Sequence, residues 1–155
     1  SLAFLNEEKD RLLKEINTHF GNHPKLREKR DLLLSIPGVG DKLAAQLLAL
    51  FASKDFSRAP EVAAFLGLVP VEKQSGTSVI GRPRMSKSGN SQLRKALYMP
   101  AIVAIKYNPD VQALYQRLIK GGKTKMAAIG AAMRKLVHIA FGVYKNLTPY
   151  QPQNS

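Results

Sequence analysis

The last third of the sequence contains a long stretch whose apolar residues recur with the period of an α-helix. Between residues 124 and 146 the basic residues lie on other sides of the helix than the apolar residues. The apolar face is formed by Met126, Ile129, Met133, Leu136, Val137, Ala140 and Tyr144. A repeat of three to four residues is the pattern of a helix that buries one side. This stretch therefore predicts a long amphipathic helix.

Shorter stretches of the same kind are separated by Gly and Pro. They predict helices over 2–20, 25–36, 41–52 and 60–66, a helix from Asn90 with a bend at Pro100, and a helix within PDVQALYQRLIKGG. We expect Asp41 to be the N-cap of the third of these helices. The region between 74 and 88 has too much Gly, Ser and Pro for a helix, so we predict a loop that can include a small β-hairpin around VIGRPR. The predicted fold class is all-α.

The chain of 155 residues is long enough for one domain with a buried core. We predict an N-terminal helix over 1–24 that connects to an upstream domain, a helical domain over 25–147 and a flexible tail over 148–155. Because the chain begins with Ser1 and not with methionine, we expect it to be a piece of a longer protein.

The charged residues are distributed unevenly. The formal net charge is +13; residues 1–72 hold ten Lys and Arg against ten Asp and Glu, whereas residues 73–155 hold fourteen against Asp110 alone. A surface that is merely solvated mixes both signs, so this excess predicts a polyanionic partner, and nucleic acid is the first choice. An anionic membrane is a weaker alternative because the basic helices lack a Trp or Phe face.

Several classes of protein are excluded by composition. The chain has no cysteine, which rules out disulfides, thiolate zinc sites and cysteine nucleophiles and fits a reducing compartment. His19 and His23 have the spacing of two metal ligands on a helix, but Gly21 and Pro24 interrupt that helix, so we expect no metal site. No apolar run approaches the roughly 18 to 20 residues of a membrane span, and the N-terminus is not a signal peptide. We expect no membrane contact.

The segment IPGVGDKLAAQLLA, residues 36–49, has the form of a helix-hairpin-helix. Gly38 and Gly40 permit a tight turn, and the amides of the hairpin and of the next helix can bind a DNA phosphate, with Lys42 beside them. A plain αα-hairpin, in which the glycines serve only the bend, remains the alternative.

The segment GGKTK, residues 121–125, looks like the end of a P-loop. Arg117 stands where that motif needs a further glycine, so we predict a helix stop followed by Thr124 as the next N-cap. We assign Lys123 and Lys125 to nucleic-acid binding.

The segment QSGTSVIGRPRMSKSGNSQLRKAL, residues 74–97, combines serines and cations without a carboxylate. Phosphoryl transfer needs a nucleophile, cations around the phosphate and usually carboxylates that hold a metal ion. This segment supplies the first two. From spacing alone, the favoured interpretation is a loop whose serines only donate hydrogen bonds to phosphate. The candidate nucleophiles are Ser75, Ser78, Ser86, Ser88 and Ser91.

The order of several sequence blocks along the chain resembles that of a known protein family. LLLSIPGVGDKLAAQLLALF is followed by FSRAPEVAAFLGLVP, then by SG and RMSKSGNSQLRKALYMPA, and then by NPDVQALYQRLIKGGKTKMAAIGAAMRKLVHIAFGVYK. Over roughly residues 30 to 145 the chain resembles the C-terminal domain of the transposases of insertion-sequence family one-ten, which includes the Piv-type DNA invertases.

That resemblance implies an enzyme of DNA transposition or recombination, with a serine of this domain as the nucleophile. In the family the serine lies in a Ser-Gly pair after the GLxP block, which here is Ser75 with Gly76; Ser78 is the second choice, because this loop reads QSG where family loops often read SSG. The resemblance also implies an upstream RuvC-like domain whose acidic residues bind Mg²⁺. We expect this chain by itself to be inactive and to need no cofactor of its own.

The same resemblance gives the cations and partners their expected roles. Arg82, Arg84 and Lys87 are expected to neutralise phosphates near the cut, and Arg94 and Lys95 to hold the DNA backbone. The partners implied are DNA, a noncoding guide RNA and further copies of the full-length protein, in the cytoplasm of a bacterium at the nucleoid. The alternative function is a non-catalytic helix-hairpin-helix module that binds nucleic acid.

Overall fold

The computed structural model describes residues 24–68 and 88–153. In these two ranges the chain forms helices and no strand, so the predicted all-α fold class is confirmed. The predicted N-terminal helix and the VIGRPR hairpin lie outside the described residues. The helices are α1 (Pro24–Leu34), α2 (Asp41–Ser53), α3 (Ala59–Phe65), α4 (Ser88–Ala96), α5 (Tyr98–Tyr107), α6 (Pro109–Lys120) and α7 (Lys125–Asn146).

Helix α7 is the centre of the domain, and α1, α3, α5 and α6 pack around it. Its apolar side is fully covered at Leu136, Val137 and Ala140. The helix begins where Thr124 Oγ1 accepts a hydrogen bond of 3.1 Å from the Ala127 amide, so the predicted N-cap is confirmed. The longest apolar pattern in the sequence thus builds the core.

By length and composition α7 is apolar enough to cross a membrane. The sequence had led us to expect no apolar run of that length. Its most apolar stretch has a mean hydropathy of 1.4, and 56% of that stretch is buried inside the fold. The helices packed against α7 supply the apolar environment that lipid would otherwise provide. We therefore identify α7 as a core helix.

The first turn of α2 corrects one prediction. The Ala44 amide donates to the Gly40 carbonyl at 2.9 Å, so the first intrahelical bond starts at Gly40, which has extended backbone and is the N-cap. Asp41 is the first helical residue, and the prediction that it caps the helix was wrong. Its carboxylate lies in the first turn, where the helix dipole favours negative charge.

The bend predicted at Pro100 is a break between α4 and α5 at Leu97. Proline has no amide hydrogen, so the carbonyl of Ala96, four residues earlier, receives no helical bond from Pro100. The helix that the sequence predicted as one piece therefore divides three residues before the proline.

Residues 148–153, which we call the C-terminal strap, lie against the start of α6. The Tyr150 hydroxyl is 2.7 Å from Asp110 Oδ2 and 2.9 Å from Asn108 Oδ1, and the Gln153 amide donates to Asp110 Oδ1 at 2.9 Å. The Tyr150 amide donates to Ser35 Oγ at 2.9 Å. The sequence predicted a flexible tail over 148–155, and it does not show that Asp110 is buried beneath the strap.

Asn108 connects the strap to the glycine hairpin. Its Oδ1 accepts the Asp110 and Val111 amides at 3.0 and 3.2 Å and so caps α6, while its Nδ2 donates to the Pro37 carbonyl at 3.2 Å. Asn108 and Asp110 are the buried polar side chains of the described ranges, at 0% and 2% exposure. Their hydrogen bonds offset the cost of removing them from water.

Candidate nucleic-acid interface

The glycine hairpin between α1 and α2 packs closely against α5. The Val39 amide donates to the Ile36 carbonyl at 3.0 Å, and Gly38 has a φ of +105°. A Cβ at Gly38 would lie 2.8 Å from the Ala104 Cβ and 3.0 Å from the Pro100 carbonyl oxygen. Both the backbone conformation and the space require glycine here. A phosphate contact by Gly38 remains a prediction beside this packing role.

Gly40 and Lys42, at the start of α2, face solvent. Both are exposed, and apart from Gly40 itself and its two chain neighbours no atom lies within 4 Å of the position of a Gly40 Cβ. The surface at Gly40 is therefore open to a ligand at the end of the helix where amides lack intrahelical acceptors. Asp41 is also exposed between them and brings a negative charge that opposes an anionic ligand.

Arg94 and Arg134 converge from two helices on the turn that follows α3. Arg94 Nη1 donates to the Leu66 carbonyl at 3.4 Å, and Arg134 Nη1 donates to the Leu68 carbonyl at 3.3 Å. Both guanidinium groups are partly buried there. The sequence predicted Arg94 as a ligand of the DNA backbone; in the structure it contacts protein backbone. Nothing local in the sequence points to Arg134, because its carbonyl partner Leu68 lies 66 residues earlier in the chain.

The turn between α6 and α7 presents the densest group of exposed cations among the described residues. Gly121 ends α6, and Gly122, with a φ of +96°, reverses the chain before Thr124 caps α7. Four basic side chains lie within this turn and its flanks, and all are exposed: Arg117, Lys120, Lys123 and Lys125. Arg117 and Lys120 lie in the last turn of α6, at the negative end of its dipole, and Lys123 and Lys125 lie at the positive end of the α7 dipole. The net positive charge of the turn favours an anion.

Lys95, predicted to hold the DNA backbone, is exposed on α4. The remaining predicted site residues fall in the segment 69–87, outside the described residues, and their assignments remain predictions. They are Ser75, Gly76, Ser78, Arg82, Arg84 and Lys87.

His138 on α7 is half-buried and lines a cavity of about 210 Å³ under the strap, together with Asp110 and Tyr150. Burial lowers the pKa of His138 below its usual value, and the charges of Arg134 and Lys135 lower it further. In the described ranges no group of three or more His, Cys, Asp or Glu side chains is placed to hold a metal ion. His19 and His23 lie outside these ranges.

Comparison with known proteins identifies the family of this chain. Residues 30–116 match the model of the Transposase IS116/IS110/IS902 family. The chain belongs to this family. The matched region runs from α1 into α6 and includes the glycine hairpin and the segment of basic and serine residues.

Individual relatives agree with this assignment. The pilin gene-inverting protein of Moraxella bovis is 38% identical over 129 residues, which cover 82% of this chain and 40% of that protein. The insertion element IS110 43.6 kDa protein of Streptomyces coelicolor is 31% identical over 152 residues, covering 97% of this chain and 36% of that protein. The chain thus spans about two fifths of these relatives or less.

Proposed function

We propose that this chain is the domain of a DNA transposase or site-specific recombinase that binds nucleic acid and supplies the nucleophile for strand cleavage. The observation that carries the proposal is membership of the transposase family, with a DNA-inverting protein among the relatives. The name of that relative describes inversion of a gene, a reaction in which DNA strands are cut and rejoined.

The electrostatics of the described residues support the binding role. Between residues 88 and 153 the sequence holds ten Lys and Arg against Asp110, which is 2% exposed and whose carboxylate accepts hydrogen bonds from the strap. The exposed charged side chains that this range contributes to the surface are therefore all cations. Such a surface binds phosphates by releasing counterions, and its affinity falls as salt rises.

The chemical step assigned to this domain uses a serine hydroxyl. The Ser75 Oγ attacks the phosphorus of a phosphodiester; an Oγ–P bond forms, the bond from phosphorus to one deoxyribose oxygen breaks, the serine proton passes to a base, and the leaving oxygen ends as a hydroxyl. Attack by a hydroxyl of another strand on the phosphoserine reverses the step and rejoins DNA. The family resemblance supports Ser75 as this nucleophile, with Ser78 as the second choice.

The carboxylates that the structure describes do not form a magnesium site. Glu61 Oε1 accepts the Ser57 amide at 2.7 Å, and Asp110 accepts the Gln153 amide. The proposal assigns Mg²⁺ to an upstream RuvC-like domain and target choice to a noncoding RNA, as the resemblance implies.

Recombination by the full-length protein with its RNA tests the nucleophile. We expect Ser75→Ala to abolish recombination, because the attacking oxygen is removed, while binding of DNA measured by gel shift stays at the wild-type level. Ser78→Ala is the matched control and should recombine. If Ser75→Ala recombines normally, the nucleophile assignment is wrong.

A non-catalytic binding module is the second candidate. The open first turn of α2 and the exposed cations of the α6–α7 turn suffice to hold phosphates without chemistry. Normal recombination by Ser75→Ala and Ser78→Ala, each with unchanged binding, would favour this candidate. Strand cleavage by the isolated 155-residue chain with magnesium would contradict our expectation that the chain is inactive by itself.

A further inference from the structure

Helix α5 presents an apolar face to solvent. Met99, Val103 and Tyr107 are spaced by four residues, so they lie along one side of the helix, and they are 62%, 42% and 63% exposed. Tyr98 lies at the beginning of the same helix and is 39% exposed. We call these four residues and the exposed Lys106 the α5 platform. The opposite side of α5, at Ala101 and Ala104, is buried in the core.

The aromatic residues of the platform are unusual in this molecule. In the part of the chain that the structure describes, Tyr98 and Tyr107 are the aromatic side chains that remain exposed; the other Phe and Tyr residues are buried or half-buried. The Lys106 Nζ lies 5.5 Å from the centroid of the Tyr107 ring. Tyr107 is 63% exposed and has the Lys106 ammonium over its ring, so an aromatic ring and a cation lie together at the surface, which is the combination that stacks a nucleobase and contacts its phosphate.

Charge around the platform selects among partners. From residue 88 to residue 109, the range that contains α4 and α5, the sequence has no Asp or Glu, and Lys95 and Lys106 are both exposed. A second copy of this chain would bring like charges to the contact, which opposes association. A nucleic-acid strand brings phosphates for the lysines and flat apolar faces for the tyrosines. Charge and shape together favour a strand over a protein.

We propose that the α5 platform binds unpaired bases of single-stranded DNA. This inference rests on the proposed function, because strand exchange exposes bases that a duplex keeps stacked. Tyr107 stacks on one base, Lys106 and Lys95 contact the flanking phosphates, and Met99 and Val103 cover the edges of the bases. A base inside a duplex is already stacked on both sides and offers its face to no tyrosine on a helix surface.

Fluorescence anisotropy with the 155-residue chain tests this inference. The probes are a labelled single-stranded DNA of 20 nucleotides and the duplex of the same sequence. We expect Tyr107→Ala to weaken single-strand binding by about 5- to 150-fold, the range of one lost base stack, and to leave duplex affinity within about twofold. Tyr107→Phe should retain single-strand binding, because it keeps the ring. Thermal unfolding of each variant checks that the fold is intact.

Two further variants sharpen the test. Met126→Ala is the matched control, since Met126 is 67% exposed at the start of α7 and is not part of the platform; it should bind both probes as wild type does. Lys106→Gln should lower the slope of log affinity against log salt by about 1 on the single strand.

Five outcomes would overturn the inference. Tyr107→Ala could bind single strands normally, or lose single-strand and duplex binding equally. If Tyr107→Ala lost affinity only for an RNA oligonucleotide of the same sequence, the platform would be an RNA-binding surface. If the same variant changed from dimer to monomer in sedimentation, the platform would be a protein interface. If the wild-type chain binds neither DNA nor RNA, the proposed binding function fails with it; if it binds both DNA probes and Tyr107→Ala changes nothing, the proposed function stands and only the platform is rejected.

Discussion

The region beneath the C-terminal strap and the turn between α6 and α7 lie at opposite ends of helix α6, and both are rich in polar side chains. Beneath the strap, Asn108 and Asp110 are buried and bonded to Tyr150, Gln153 and the hairpin. At the α6–α7 turn the polar groups are cations that face solvent. The difference teaches that the polar residues at the two ends of one helix have different roles: the buried ones hold the fold, and the exposed ones present positive charge to solvent.

Replacing Asp110 by alanine should give the largest effect. The change leaves the Gln153 amide without its acceptor and leaves the Tyr150 hydroxyl with Asn108 Oδ1 alone. Two hydrogen bonds to a carboxylate are lost in a partly buried place, so we expect the free energy of unfolding to fall by about 3 kcal/mol. Urea denaturation measures this loss. Asp55→Ala, at an exposed carboxylate, is the control and should change stability by less than about 0.5 kcal/mol. Equal stability of the two variants would refute the structural role of the strap.

The complementary change removes charge at the other end of α6. The triple variant Lys120→Gln, Lys123→Gln and Lys125→Gln should reduce the slope of log DNA affinity against log salt by roughly 3, because each lost phosphate contact removes about 1. Its unfolding free energy should stay close to the wild-type value. Lys54→Gln, in the electrically neutral half, is the control for binding. A triple variant that unfolds more easily and binds DNA normally would show that these lysines stabilise the fold and do not bind the anion.

The smallest effect concerns the tyrosine of the strap. Tyr150→Phe removes one hydroxyl and should cost about 1 kcal/mol at neutral pH. Burial, followed by the hydrogen bond to Asp110 and its charge, raises the pKa of Tyr150 from 10.0 to about 12. A raised phenol pKa stabilises the fold fully below pH 10, and this contribution is lost as the pH rises through about 12.

Denaturation of the wild type between pH 9 and about 12 should therefore show a loss of stability that Tyr150→Phe reduces. If Tyr150→Phe follows the wild-type curve, Tyr150 does not titrate in contact with Asp110.

The helices could be read from the sequence because their apolar residues recur locally and Gly and Pro interrupt them. The sequence placed α2 and α6 within a residue or two of their observed ends, and it gave Thr124 its capping role. It could not place Asp110, because an acid in the first turn of a helix normally faces solvent. Only the fold brings Tyr150, forty residues later in the chain, over that carboxylate.

Arg94 and Lys95 show the same limit at the candidate site. They are neighbours in a basic segment, and the sequence gave them one role. In the structure Arg94 donates to the Leu66 carbonyl, whereas Lys95 is exposed. Successive helix residues point in directions about 100° apart, and which of them meets another element depends on packing that no local pattern contains. The platform tyrosines escaped notice for the converse reason, since exposure on an apolar helix also depends on packing.

The fit of Gly38 against α5 bears on how the family's sequences are compared. A side chain at position 38 meets Ala104, so these two positions, distant in the chain, cannot diverge independently. The glycine will be retained wherever the hairpin rests on α5, whether or not the protein ever holds DNA there. Its presence in a relative therefore indicates the same packing of the hairpin on α5. A motif search that takes this glycine as evidence of DNA binding would assign DNA binding to proteins that share only the fold.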